Sequence, residues 1–423
     1  MEERPKSIDL FAGAGGLSKG LEAAGFDVIW ALDYEEHCKP TFDRNHDCNL
    51  EVGDIREIDP SELDIEPEDV NFIAGGPPCP TFSLVGRSKI NSIEDRNVQE
   101  DERHQLYQDF LRFVEHFEPQ SFVMENVSGM LSAENEGGRK VVDVIKEEME
   151  EKGYEVTYQL LDAADYGVPQ HRERLFFIGT KNGNNPDIEK WRTHAEPTSE
   201  SEKMIKFKHR DSKEQSQRTI PGLTDENGSF PSYRRNSEPK PWNTVADAIL
   251  DLPPLSPEGK MPPKKAENYT APCLSKYQEW ARDIGEDESW EDRDLLNHEA
   301  RGQNLRDLTL YKMLGEGVSY KIGDLPKDVQ PFRDDIFSDN IKKQNPKEPA
   351  STVVAHLYKD GHMFVHPTEA RSVSVREAAR LQSFKDTFEF PVSRTQAFKQ
   401  IGNAVPPLLA QAIGTAIKSS VFD

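Results

Sequence analysis

DLFAGAGGLSKG, residues 9–20, runs from a β-rich segment straight into a glycine turn that opens an amphipathic stretch. Gly13, Gly15 and Gly16 have no side chains to hold a ligand off the backbone, and the helix that follows presents free amide groups at its start. By itself such a turn serves a dinucleotide, S-adenosylmethionine, or merely the close packing of a helix on a strand. Asp33 ends the next β-rich run, at the position from which acids in nucleotide-binding sheets accept hydrogen bonds from ribose hydroxyls. A surface acid is the plainer alternative, since 14 of the 37 residues in 33–69 are acidic. Asp54 and Ile55, in VGDI, are placed to flank an adenine ring in the same site.

Outward from this turn, residues 7–180 alternate short β-rich runs with amphipathic ones. The pattern predicts an α/β fold, a doubly wound parallel sheet with helices on both faces. Strands are expected at 7–11, 27–32, 70–74, 121–124, 155–161 and 174–180, and helices at 17–24, 105–117 and 139–152. Beyond residue 180 the pattern dissolves into polar, proline-rich sequence in which only 245–252 and 305–314 read as helical. Helical periodicity returns at 375–384 and 408–417, so the carboxyl end is expected to rejoin the first domain. The division is therefore 1–180, a smaller loop-rich unit at 181–365, and a return at 366–423.

The chain has 423 residues, long enough for a large domain and a smaller one. Its 52 Lys and Arg against 76 Asp and Glu give a net charge of −24, which argues against a protein that coats nucleic acid non-specifically. No apolar run approaches a membrane span, and the opening MEERPKSIDLF lacks the layout of a signal peptide, so a cytoplasmic protein is expected. Four scattered cysteines form neither a disulfide framework nor a CxxC pair. His37, Cys38, His46 and Cys48 are poorly spaced for zinc, so no metal is expected and a solvated helix is the reading there.

Chemistry enters with AGGPPCPTFS, residues 74–83, where a strand ends in glycines and a stiff Pro-Pro pair before Cys79. Open α/β sheets bind ligands at the carboxyl ends of their strands, so Cys79 is expected to face the crevice of the glycine turn. A lone cysteine there is more often a small buried residue. FVMENV puts Glu125 and Asn126 at another strand end, and VPQHRERLFFIG puts Gln170, Arg172 and Arg174 at the start of the next. Singly these are a cap and a solvated face. Together they make a nucleophile, an acid/base and a charge stabiliser.

With these residues in view, the sequence resembles the cytosine carbon-5 DNA methyltransferases. DLFAGAGG, GGPPC, ENV, QHRER, REAARLQSF and QIGNAVP stand in that family's order, with its long variable gap between QHRER and REAARLQSF. The resemblance implies a Rossmann-like S-adenosylmethionine-dependent methyltransferase domain with a target recognition domain in the gap, residues 181–365. It places Phe11, Gly13, Gly15, Asp33, Asp54, Ile55 and Pro78 around S-adenosylmethionine, with Asn403 and Val405 closing the site. It makes Cys79 the nucleophile at carbon 6 of cytosine, Glu125 the group at ring nitrogen 3, and Arg172 and Arg174 the nearby positive charge.

The implied substrate is a specific sequence in double-stranded DNA, its target base flipped out of the helix. A monomer is expected, as the modification enzyme of a restriction-modification system with a cognate endonuclease, or as a solitary methyltransferase. Methylation of transfer RNA and a catalytically silent relative are the other readings. The polar segment 84–103 suits a loop closing on DNA, and 203–218 and 371–380 are locally basic segments available to it. Two positions depart from the family pattern: Pro80 where glutamine is usual, and Lys385 where proline is.

Overall fold

The computed structural model describes residues 4–78, 106–135, 137–197, 239–258, 262–283, 289, 293–331, 340–359 and 361–423. Cys79, Pro80, the segment 84–103 and the basic run 203–218 lie outside the described residues. Seven strands form one sheet in the order β3-β2-β1-β4-β5-β7-β6. They are β1 (Lys6–Leu10), β2 (Asp27–Asp33), β3 (Leu50–Val52), β4 (Phe72–Gly75), β5 (Ser121–Val127), β6 (Glu155–Asp162) and β7 (Glu173–Thr180). The short β3 was not expected from sequence.

The all-parallel expectation is corrected at one edge. β1 to β5 pair in parallel, but β7 runs antiparallel to both β5 and β6. A parallel return needs a crossover of about a dozen residues or more, and 163–172 is too short to supply one, so the chain reverses.

Both faces of the sheet are covered. On one, helix α1 (Gly16–Ala24) packs Leu17 and Leu21 with Phe26, Val28 and the carboxyl-terminal Leu408, Leu409 and Ile413. The carboxyl-terminal helix Pro407–Ile417 comes so close to α1 that a Cβ on Gly20 would overlap the Cβ of Ala410. On the other face, the helix Leu106–Phe117 buries Phe110, Phe113, Val114 and Phe117 at three- and four-residue spacing, beside Ile145 and Met149 of Val141–Glu150. The stretch 37–48 is helical from Lys39 to Asn45, but it is not a solvated helix: Cys38 and His46 are buried, and Thr41 bonds Gln400. Among the described residues no cluster could hold a metal ion, and no helix is long and apolar enough to cross a membrane.

Residues from 181–365 join two cores. Val245, Ala248, Tyr277 and Ala281, from the helices Val245–Ile249 and Lys276–Arg282, share a core with α1 and the carboxyl-terminal helices. Leu310, Tyr311, Leu314, Ile322, Leu325 and Ile341 form a separate small cluster with Val365. The second of those helices and Arg394–Asn403 were not expected from sequence.

The segment 371–380 is not a basic surface. Arg371, Arg376 and Arg380 are at most 1% exposed. Arg371 holds Glu377 through two hydrogen bonds of 2.7 Å, and Arg380 reaches Asp251 at 2.5 Å and Asp386 at 2.6 Å. Arg282 binds Asp251 from the other side at 2.7 Å. Arg376 donates to the carbonyls of Leu296, Lys385 and Phe388. A guanidinium buried at this depth is tolerated only when its charge and its donors are matched, and here they are used in tying 245–300 to the carboxyl end.

Candidate active site

The ends of β1, β2, β3 and β4 open on one edge of the sheet, and the glycine turn lies across it. Phe11 holds a left-handed backbone with φ 62°, which a bulky side chain adopts only under constraint. Gly13, with φ 58°, has nothing within 4 Å of where a Cβ would stand, so the backbone there is open to a ligand. Gly15, at φ 85°, also serves packing, because a Cβ there would stand 2.1 Å from His46 Nε2.

Asp33 anchors the turn. Its Oδ2 accepts the Gly13 N–H at 2.8 Å and its Oδ1 accepts the Glu35 N–H at 2.8 Å, while burial raises its pKa against these bonds. Asp9, within β1, accepts from Ser18 in the first turn of α1; its Oδ1 has no partner, and burial pushes its carboxyl up to about 7. Tyr34, next to Asp33, is 71% exposed, and sequence reading missed it. Its signal was an aromatic ring directly after the acid at a strand end. Asp54 caps a turn and pairs with Arg56, and Ile55 beside it is buried.

The second group stands at the next strand ends. Arg174 Nε lies 2.8 Å from Glu125 Oε1, with the two side chains 17% and 16% exposed. The antiparallel pairing explains their meeting, since Val127 stands opposite Arg174 and puts Glu125 two residues along. Asn126 Nδ2 donates to the Pro77 carbonyl at 3.2 Å, and a Cβ on Gly76 would stand 3.0 Å from Glu125 Oε2. The chain leading to Cys79 is thereby held against the Glu125–Arg174 pair. Pro78 is exposed at that end.

Arg172 is placed differently from expectation. It is 2% exposed, and its guanidinium donates to the Val353 and Gly402 carbonyls at 2.9 Å each. Its charge lies within the protein rather than in the crevice. Burial and the charge of Arg174 lower its pKa, against Glu125. The side chain acts as a strut from the turn before β7 to the segments around Val353 and Gly402. Gln170 does similar work, accepting from Val353 N–H and donating to the Leu381 carbonyl and to Gln382. Gln382 in turn holds the Ala404 carbonyl at 2.6 Å. Asn403 is exposed at the end of its helix, whereas Val405 is 8% exposed in the core, its carbonyl close against Gly16. Asp162, unremarked in the sequence, accepts from His171 Nδ1 at 2.7 Å and from the Arg172 N–H at 2.9 Å, fixing the turn into β7.

A family model described as C-5 cytosine-specific DNA methylase matches residues 5–419. The type II methyltransferase M.AgeI of Thalassovita gelatinovora is 32% identical over 98% of this chain and 100% of its own length. The type II methyltransferase M.DdeI of Desulfomicrobium norvegicum is 33% identical over 97% of this chain and 88% of its own. Among solved structures, a chain described as a DNA modification methyltransferase encoded within an Escherichia coli prophage superposes with a TM-score of 0.67 at 23% identity, covering 99% of this chain and 100% of that one. At that identity the likeness speaks for the fold alone.

Proposed function

Because the chain belongs to the C-5 cytosine-specific DNA methylase family, we propose that it methylates carbon 5 of a flipped cytosine within a specific sequence of duplex DNA, as a modification enzyme of the restriction-modification type. The observation that carries this reading is the Glu125–Arg174 pair, 2.8 Å apart at adjacent strand ends and beside the tethered Pro77.

The residues at the other strand ends fit S-adenosylmethionine: an open backbone at Gly13, the Asp33 carboxylate for ribose hydroxyls, and the exposed Tyr34 ring as a stacking surface for the adenine. When bound, that cofactor supplies an electrophilic methyl group on a sulfonium. Phe11, Gly15, Asp54, Ile55, Pro78, Asn403 and Val405 complete the proposed surroundings, with Val405 acting from the core through its backbone.

Carbon 5 of cytosine is a poor nucleophile until a thiolate adds at carbon 6. Cys79 Sγ forms that bond, the electron pair of the 5,6 double bond moves to carbon 5, and negative charge spreads to nitrogen 3 and the carbonyl oxygen at carbon 2. Glu125 holds nitrogen 3 and the exocyclic amine, and Arg174 the carbonyl oxygen, where preorganised groups lower the barrier most. Carbon 5 takes the methyl group, a base removes the remaining proton there, the double bond re-forms, and Cys79 leaves. Arg172 positions this set through Val353 and Gly402 and does not touch the base. Residues 181–365, together with the segment 84–103, are assigned to sequence recognition and closure on the DNA.

A duplex carrying 5-fluorocytosine at the target tests this directly. Fluorine cannot leave as a cation, so the chain should remain covalently attached after methyl transfer and survive denaturation, only when S-adenosylmethionine is present. Trapping on transfer RNA in preference to DNA would move the substrate to RNA. No adduct on any substrate, with cofactor binding intact, would make the chain a silent relative.

For the cofactor, Asp33→Ala should weaken binding by about 1.5–3 kcal/mol, the value of a hydrogen bond to a charged group. The structure adds a second reason, since the Gly13 N–H loses its acceptor. Calorimetry without DNA measures it, and equal affinity in the two proteins would remove Asp33 from the site.

A further inference from the structure

Away from the crevice floor, one surface departs from the acidity of the chain. The helix Arg394–Asn403, RTQAFKQIGN, carries Arg394 and Lys399 and no acid, in a protein of net charge −24. It packs on the turn Ala355–Tyr358. Arg301 reaches the same turn, with Nη1 3.1 Å from the Tyr358 carbonyl and Nη2 2.6 Å from that of Lys359. Those bonds use part of its fork of five donors and none of its charge. Lys399 Nζ stands 5.6 Å from the centre of the Tyr358 ring.

Arg394 lies near enough to Arg301 for that charge, added to burial, to lower its pKa against the opposing pull of Glu299. Glu299 is itself occupied, its carboxylate 3.4 Å from Lys264 Nζ. Arg301, Lys359 and Lys399 thus come from three segments to one tyrosine turn, Arg394 stands on the same helix as Lys399, and among the described residues none of the four is in an ion pair with a carboxylate. Like charges gathered without counter-charges repel, a cost that a polyanion laid across them converts into binding. The helix that carries two of them ends at the exposed Asn403, immediately after the Gly402 carbonyl that Arg172 holds.

We propose that Arg301, Lys359, Arg394 and Lys399 form the stripe that binds the phosphodiester backbone of the duplex next to the crevice, while base edges are read elsewhere. The inference rests on the DNA reading above and adds where the duplex is gripped. Phosphate contacts fix register and orientation without carrying sequence information. A stripe of this kind resolves the conflict between an acidic chain and a polyanionic substrate, a role that the buried arginines of 371–380 do not fill.

The test is the salt dependence of binding to a labelled duplex. The triple variant Lys359→Gln, Arg394→Gln, Lys399→Gln leaves Arg301 in place, because Arg301 also supports the Tyr358 turn. Each phosphate contact contributes about 0.9 to the slope of log affinity against log salt, so the slope should become shallower by roughly 2 to 3. Affinity at low salt should fall at least tenfold, with the methylated positions and the cofactor affinity unchanged. An unchanged slope overturns the proposal, and so does a loss of affinity equal at every salt concentration. Methylation of duplex DNA by the unaltered protein is scored in the same samples. Its absence would refute the activity reading, whereas the difference in slope alone decides the stripe.

Discussion

Cys79→Ser is expected to abolish the 5-fluorocytosine adduct and to lower methyl transfer on the order of 10⁴-fold or more, the scale on which loss of a covalent nucleophile acts. A serine hydroxyl is far less acidic than a thiol, so addition at carbon 6 fails before carbon 5 can gain electron density. Cofactor binding should be unaltered, because the glycine turn and Asp33 are held by their own hydrogen bonds.

Glu125→Gln provides the companion measurement. It keeps the shape and removes the acid at nitrogen 3, so kcat should fall by about 10²–10⁴-fold. It also breaks the ion pair with Arg174, which would then be free to shift from its place. Methyl incorporation and mass spectrometry of the trapped species separate the two variants. An adduct that survives Cys79→Ser would disprove the nucleophile assignment.

The second large effect concerns stability. Arg380→Met should destabilise the fold by about 3–5 kcal/mol, because it strands Asp251 and Asp386, both buried, without the cation they share. Arg282 still reaches Asp251 at 2.7 Å, whereas Asp386 keeps Arg376 at 3.8 Å and the Tyr269 hydroxyl, so the damage should be greater at Asp386. Lys385→Gln is the control. Its pair with Asp283 is solvent-exposed, and removing it should cost no more than about 1 kcal/mol.

The pH dependence has a definite sign. Burial alone would raise the carboxyls of Glu377 and Asp386, but Arg371 and Arg380 outweigh it and hold both below their ordinary values. A depressed carboxyl contributes stability that is present at neutral pH and is lost as the pH falls through its folded value. The deficit of Arg380→Met should therefore be largest near neutrality and shrink in acid, as protonation relieves the stranded Asp386. Denaturant melts of both proteins across that range measure it. A deficit that does not change with pH would mean that packing, not charge, holds this junction.

The most legible parts of the sequence were those whose physics is local. A glycine turn between a strand and a helix, or a residue at the end of a β-rich run, is specified by neighbours within a few positions. The six expected strands are present with small shifts in their ends, and Glu125 and Arg174 meet in an ion pair between adjacent strands. Helices such as Leu106–Phe117 were visible for the same reason, since their apolar residues recur at helical spacing.

What tertiary structure alone decided is where charge is spent and which way the chain returns. Arg371, Arg376 and Arg380 read as a basic surface because charge belongs to a residue, whereas neutralisation belongs to a contact. Asp251 stands 129 positions from Arg380, and nothing local announces the pairing. Arg172 shares its motif with Arg174, yet it is buried against the Val353 and Gly402 carbonyls while Arg174 pairs with Glu125, because Arg172 lies in the turn before β7 begins at Glu173, where strand alternation does not set its direction. The antiparallel course of β7 follows from the shortness of 163–172, and it is what brings Glu125 and Arg174 to the same end. The sequence by itself determined which chemistry the residues could perform; the packing of distant segments determined which of their charges remain available to perform it.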